Sequence, residues 1–255
     1  MVQFKTLDAR FLVKVEGRIL LYSDLTQRFV DLLHLKQPPV GLAFVENVPE
    51  NVQRTGKRVP SACTFWRLAE QGLFYAAAED HQQCPIGMMT MGFTMPESSQ
   101  EQAQALVETM ASVQYFSPEE VSALPTVQKP HTSIVYGRLD LFPIEADVVL
   151  SILDTQQAML VAEALGNMNW LQGGQTAFGR PTCAVIPRTM QTQSASMSFG
   201  CVGARTYIGL TPAELVMTIP ASEFGSLVER LQTIVSANDA LAPFHAQQKE
   251  RFPVS

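Results

Sequence analysis

HQQCPIGMMTMGFTMPES, residues His81 to Ser98, sets a cysteine three residues ahead of a glycine and closes on Thr-Met-Pro-x-Ser. A similar phrase returns late in the chain as GCVGARTYIGL, Gly200 to Leu210, with TIPAS following at Thr218 to Ser222. Set side by side, four blocks recur in the same order. Pro60-Ser61-Ala62-Cys63 answers to Pro181-Thr182-Cys183, and Cys84-Pro85-Ile86-Gly87 to Cys201-Val202-Gly203. Thr94-Met95-Pro96-Glu97-Ser98 answers to Thr218-Ile219-Pro220-Ala221-Ser222, and Leu106-Val107-Glu108 to Leu227-Val228-Glu229. All 4 cysteines fall in these blocks. Such a repeat predicts two similar lobes, about residues 25–115 and 130–236, related by a pseudo-twofold and each bringing a cysteine pair to one shared cleft.

Outward from the repeat, the elements alternate. Ser23 or Asp24 can cap a helix whose apolar face is Leu25, Phe29, Leu32 and Leu33, ending before Pro38-Pro39. Val40 to Val45 reads as a buried strand, Ser61 as the cap of a short helix carrying Phe65 and Leu68, and Leu73 to Ala78 as a second strand. A helix is expected from Ser98 to Ser112, and Ser117-Pro118-Glu119-Glu120 is a capping box that starts another. Strands follow at Ser133 to Arg138 and Val148 to Leu153, then a helix from Gln156 to Leu165. A Gly173-Gly174 turn precedes a strand expected near Cys183; Leu215 to Ile219 is another strand, and Phe224, Leu227, Val228, Leu231 and Ile234 mark a last amphipathic helix. The alternation predicts one α/β (mixed α+β) domain over residues 1–255, with residues 238–255 as a polar surface tail or oligomer contact.

The composition narrows the function classes. With 255 residues, 46% apolar and 16% charged, the chain can bury a sizeable core. A net charge of -6, and no lysine or arginine run, remove the electrostatic footprint of a nucleic-acid binder. The N-terminal sequence shows no signal-peptide pattern and no apolar run is long enough to span a bilayer, so the expected location is the cytoplasm. Cysteines in a reducing compartment are thiols or metal ligands before they are disulfides. The chain has no phosphate-binding Gly-x-x-x-x-Gly-Lys-[Ser/Thr] loop, no Gly-x-Gly-x-x-Gly, no Gly-x-Ser-x-Gly elbow and no His-Glu-x-x-His.

The cysteine spacings are neither those of zinc knuckles nor of a ferredoxin run. Convergence across the repeat is what would make them a site. Cys63, Cys84, Cys183 and Cys201 would then ligate an iron-sulfur cluster or related iron cofactor, with zinc as the alternative metal. Gly87 and Gly203, close after Cys84 and Cys201, let backbone N–H groups approach a sulfur or cofactor. Arg205 is placed to lower a thiolate pKa or hold a carboxylate, and Glu79-Asp80-His81 offers an acid, a base and a neutral nitrogen in one turn, His81 being the candidate for cofactor contact. Met88, Met89, Met91 and Met95 fill a core gap or line an apolar cofactor pocket more readily than they bind copper. Two further readings stand beside the cluster: a metal-free thiol enzyme or small-molecule-binding protein using Cys201 or Cys84, and a structural zinc site pinning the lobes together. A small-molecule ligand or redox partner and a homo-oligomer are the partners these readings admit.

Lys36-Gln37-Pro38-Pro39-Val40, Cys63 leading into its helix, Glu79-Asp80-His81 before Cys84-Pro85-x-Gly87, and Gly200-Cys201-x-Gly203-x-Arg205 together resemble the prokaryotic family of unknown function DUF169. The resemblance runs from about Leu25 to Pro220. The family pattern sets its histidine closer to the cysteine and has two glycines after Cys-Pro, where this chain has Gln82-Gln83 and Ile86. It implies the fold unit and the cysteine positions, and no activity.

Overall fold

A computed structural model describes residues 12–15, 18–166 and 177–252. A small antiparallel hairpin, β1 (Leu12–Val15) and β2 (Arg18–Leu21), precedes the helix α1 (Tyr22–Leu33). The main sheet is built from β3 (Val40–Val45), β4 (Leu73–Ala77), β5 (Ser133–Arg138), β6 (Val148–Asp154), β7 (Ala177–Phe178), β8 (Ser196–Ser198) and β9 (Glu214–Pro220). Its order is β4-β5-β3-β6-β9-β8-β7, antiparallel throughout except for the parallel two-residue edge strand β7. Read outward from the central β3–β6 pair, β5 then β4 lie on one side and β9 then β8 on the other. The seam itself is short, pairing Val40 with Leu150, Gly41 with Val149 and Leu42 with Val148.

Because side chains alternate across a strand, the apolar runs feed two separate cores. Leu42, Phe44, Ile134, Tyr136, Val148, Leu150 and Val216 face one side. Ala43, Val135, Val149, Leu153, Leu215, Met217 and Ile219 face the other. The second face is covered by α1, α6 (Thr155–Ala164) and α9 (Ala221–Arg251), whose Phe29 and Phe224 rings meet edge-on at 5.1 Å between centroids. The first face carries short helices: α2 (Thr64–Ala69), α3 (Pro85–Thr90), α7 (Val185–Thr192) and α8 (Val202–Ile208). Between these, α4 (Glu97–Ser112) and α5 (Pro118–Ser122) bridge α3 to β5, and α5 starts with the expected reciprocal cap, Glu120 N–H to Ser117 Oγ at 3.1 Å and Ser117 N–H to Glu120 Oε2 at 2.8 Å.

Three expectations are refined. The strand near Cys183 is the two-residue β7 (Ala177–Phe178) ahead of it, and Cys183 itself lies in a 3₁₀ turn over Thr182–Ala184 that runs into α7. Residues 238–251, expected as a polar surface tail or oligomer contact, are helical: they form the outer part of α9, a 31-residue helix continuing through Pro243. Its buried residues end at Leu231, and Asn238 donates to Glu163 Oε2 at 3.2 Å; beyond that the helix is mostly exposed. The paired blocks also part company: Thr218–Pro220 is the end of strand β9, whereas Thr94–Pro96 is a turn between α3 and α4. The Gly173-Gly174 turn lies outside the described residues.

Candidate functional site

Each cysteine stands where a short helix begins. Cys63 precedes α2, Cys84 precedes α3, Cys183 sits in the 3₁₀ turn before α7, and Cys201 precedes α8. The four helices share one face of the sheet, and they pack crosswise: α2 meets α8, and α3 meets the Cys183 turn. The result is a cavity of about 460 Å³ with all four cysteines in its wall. The rest of the lining is mostly apolar, including Pro60, Ile86, Leu106, Met110 and Phe116, and among the described residues it holds no charged side chain.

The thiols differ in setting. Cys63 and Cys183 are 5% and 9% exposed, whereas Cys84 and Cys201 are half-buried at the cavity surface. Burial pushes the Cys63 thiol up to about 12, opposed by the Ser61 hydroxyl and reinforced by Cys84 and Cys201. Burial likewise raises Cys183 well above its ordinary value, with Cys84 adding to the shift and the Thr90 hydroxyl opposing it. Ser61 links two of the sulfurs: its Oγ lies 3.1 Å from Cys63 Sγ and donates to Cys84 Sγ at 3.6 Å. On the other side, Thr182 Oγ1 accepts from Cys201 N–H at 2.7 Å, and Cys201 Sγ accepts from Ala204 N–H at 3.4 Å.

The two candidate glycines serve different ends. A Cβ on Gly87 would come within 2.9 Å of both Ala62 Cβ and Cys84 Sγ, so the bare backbone is what lets the Cys84 sulfur fold over the first turn of α3. A Cβ on Gly203 would meet Tyr207 at 3.6 Å and Cys201 Sγ at 3.9 Å, ordinary contact distances. Gly203 lines the cavity but is not sterically required there.

His81 and Arg205 lie outside the cavity wall. His81 is buried, its Nδ1 2.8 Å from Ala77 O and its Nε2 3.1 Å from Tyr136 Oη, inside a cluster with Phe65 and Phe93. Desolvation lowers its pKa to about 4, so it is a neutral packing and hydrogen-bonding residue that supports α2 and α3 from beneath. Arg205 donates Nη1 to Thr211 O at 2.9 Å and Nη2 to Phe199 O, clamping the turns before and after α8. Neither was reachable from spacing, which does not say where a side chain points.

Residues with no signal in the sequence brace the elements that carry the wall. Arg67 Nε on α2 donates to Ile208 O at 3.0 Å, satisfying a terminal carbonyl of α8 and joining the two cysteine-bearing helices. Thr218 Oγ1 donates to Val185 O at 3.1 Å and Ser196 O at 3.2 Å and lies 2.7 Å from Thr189 Oγ1, pinning α7 to the sheet. The methionines after Cys84 belong to the core: Met88 and Met91 are buried, and the cavity methionine is Met110.

Compared with known families, residues 28–230 match the DUF169 model, described as uncharacterised ArCR. The chain belongs to the DUF169 family. Uncharacterized protein MJ0308 of Methanocaldococcus jannaschii is 25% identical over 222 residues, 81% of this chain and 91% of that protein. No solved structure matches. The DUF169 span contains all four cysteines and the whole main sheet, and ends near the last buried turn of α9. Among the described residues, no helix is long and apolar enough to cross a membrane. Nor, among them, does any group of three or more His, Cys, Asp or Glu gather closely enough to hold a metal ion.

Proposed function

We propose that this DUF169 protein holds an iron-sulfur cluster in the cavity between its four helix starts, with Cys63, Cys84, Cys183 and Cys201 as ligands. The observation that carries this reading is the presence of all four cysteines, from four separate places in the chain, in the wall of one apolar cavity. The sulfurs are spread around the wall and not gathered on one point. A single zinc ion needs sulfurs about 2.3 Å from one centre. A cluster, with its ligands on separate irons, suits a wider ring. The uncharged lining and the Ala204 N–H on Cys201 suit bound thiolates, whose potential hydrogen bonds and burial tune. When bound, the cluster supplies one-electron chemistry; the chain's own part is to hold four thiols, exclude water and donate N–H and O–H groups to sulfur. The mirrored strand order about the β3–β6 pair, and the crosswise packing of the cysteine helices, support a duplicated origin of this arrangement.

The test is anaerobic reconstitution with iron and sulfide. About four irons per chain and an absorption band at about 400 nm are expected, both lost or sharply reduced in Cys63→Ser, Cys84→Ser, Cys183→Ser and Cys201→Ser. Unchanged iron in all four variants ends the reading. A second reading rests on Cys201: its sulfur is accessible from the cavity and accepts an N–H, as a nucleophilic thiol requires. Iron-free protein in which Cys201 alone alkylates rapidly would favour it.

A further inference from the structure

The cavity lining is uncharged, yet two arginines stand at its edge. Arg58 lines a recess with Val59, Pro60 and Gln83, and the last two of these also line the cavity. The Arg180 guanidinium carbon lies 4.7 and 5.2 Å from the centroids of the Tyr115 and Phe116 rings, and both rings are cavity wall. Each arginine comes just before a cavity-lining proline and a buried cysteine: Arg58-Val59-Pro60-Ser61-Ala62-Cys63 and Arg180-Pro181-Thr182-Cys183. Both are exposed, and among the described residues neither meets a carboxylate. Elsewhere in this acidic chain Arg28, Arg54, Arg67, Arg138 and Arg230 are paired with Glu or Asp, and Arg188, Arg205 and Arg251, which are not so paired among the described residues, line neither the cavity nor the recess.

We propose that the cavity mouth binds an organic anion: a small molecule with an apolar or planar body that enters among Ile86, Leu106, Met110 and Phe116, and an anionic head that the arginines hold. An arginine fork recognises oxyanions through paired N–H donors, and the cation–π contact with Tyr115 holds the Arg180 guanidinium in place while, among the described residues, no carboxylate takes those donors. The mostly apolar wall admits the body, and among the described residues it holds no acid to oppose the head. The proposal deepens the cluster reading, on which it rests for what the anion meets at the bottom of the cavity. Anion binding itself is measured on metal-free protein, so the two readings fail separately.

The probe is 8-anilinonaphthalene-1-sulfonate, titrated by fluorescence against the folded, metal-free chain, beside its uncharged analogue N-phenyl-1-naphthylamine. Saturable sulfonate binding at one site is expected, weakened about tenfold or more in Arg58→Gln/Arg180→Gln, while the uncharged probe changes less than about twofold. The sulfonate is also expected to slow alkylation of Cys84 and Cys201 in the wild type. Equal loss for both probes, no loss in the double variant, or no protection of either thiol overturns the proposal. Loss of iron binding with the sulfonate site intact would overturn only the cluster.

Discussion

Replacing Gly87 by alanine adds one methyl group where the backbone of α3 passes close to two others. Helix propensity alone favours the change by about 1 kcal/mol, since glycine is the poorer helix former. Packing opposes it. The new Cβ would lie 2.9 Å from Ala62 Cβ, which can move only with its backbone, and 2.9 Å from Cys84 Sγ, which can escape only by turning from its place on the cavity wall. Overfilling a packed interior costs about 1–3 kcal/mol; with two contacts at 2.9 Å, one to a Cβ that moves only with its backbone, the upper part of that range, about 2–3 kcal/mol, applies, so the net expectation is a loss of roughly 1–2 kcal/mol. In a chain of this size that is a fall in melting temperature of roughly 2–8 °C. Gly203→Ala is the internal control, because its Cβ meets nothing closer than 3.6 Å; it should be neutral or stabilising by up to about 1 kcal/mol. Thermal and urea unfolding of both variants decide the matter, together with the rate at which Cys84 is alkylated, which should change in the first variant and not in the second. A Gly87→Ala protein as stable as the wild type, with unaltered Cys84 reactivity, would refute the close-approach argument.

Other expectations follow from the same geometry. In metal-free protein, Cys84 and Cys201 should alkylate well before Cys63 and Cys183, which are buried thiols held protonated, as mass spectrometry after timed iodoacetamide treatment would show. His81 has a folded pKa of about 4 against an ordinary 6.5, so between these values the unfolded chain binds the extra proton. Stability should therefore fall as pH drops through that window, by about 3 kcal/mol at its lower end, and His81→Gln should flatten the fall in pH-dependent unfolding. Thr218→Val leaves Thr189 Oγ1 without its buried partner and should cost about 1–3 kcal/mol in urea unfolding. Ending the chain after Asn238 removes only helix beyond the buried turns of α9 and should lower stability by less than about 1 kcal/mol, measured by the same unfolding curve.

The parts of the fold legible in the sequence are those whose side chains repeat with a clear period or carry their own cap. Val40 to Val45 and Ser133 to Arg138 are the strands expected, residue for residue, and Ser117 with Glu120 forms the expected reciprocal cap. Of the site's helices, α2 is legible through Phe65 and Leu68, while the others are too short to show a period: α3 has six residues, α8 seven, and α7 eight with Pro187 inside. Cysteine is not a residue one looks to for a cap, yet the Cys201 sulfur takes that place on α8. The helical form of the outer part of α9 is not legible, because that stretch has no continuous apolar stripe and contains Pro243. For the site, cysteine identity and rough grouping were readable, while the roles of His81 and Arg205 depended on side-chain direction, and the Ser61, Arg67 and Thr218 contacts on three-dimensional proximity alone.

The two faces of the sheet divide the labour between permanence and change. Long helices anchored by Phe29, Phe224 and Leu231 lie on one side, so chemistry can be rewritten on the opposite side, at the starts of four short helices, without disturbing the layer that keeps the strands together. Relatives diverging in what they bind should differ most in the few residues at those helix starts and their rims. A chain of this architecture could thus exchange one ligand for another by a handful of replacements while its scaffold stayed the same.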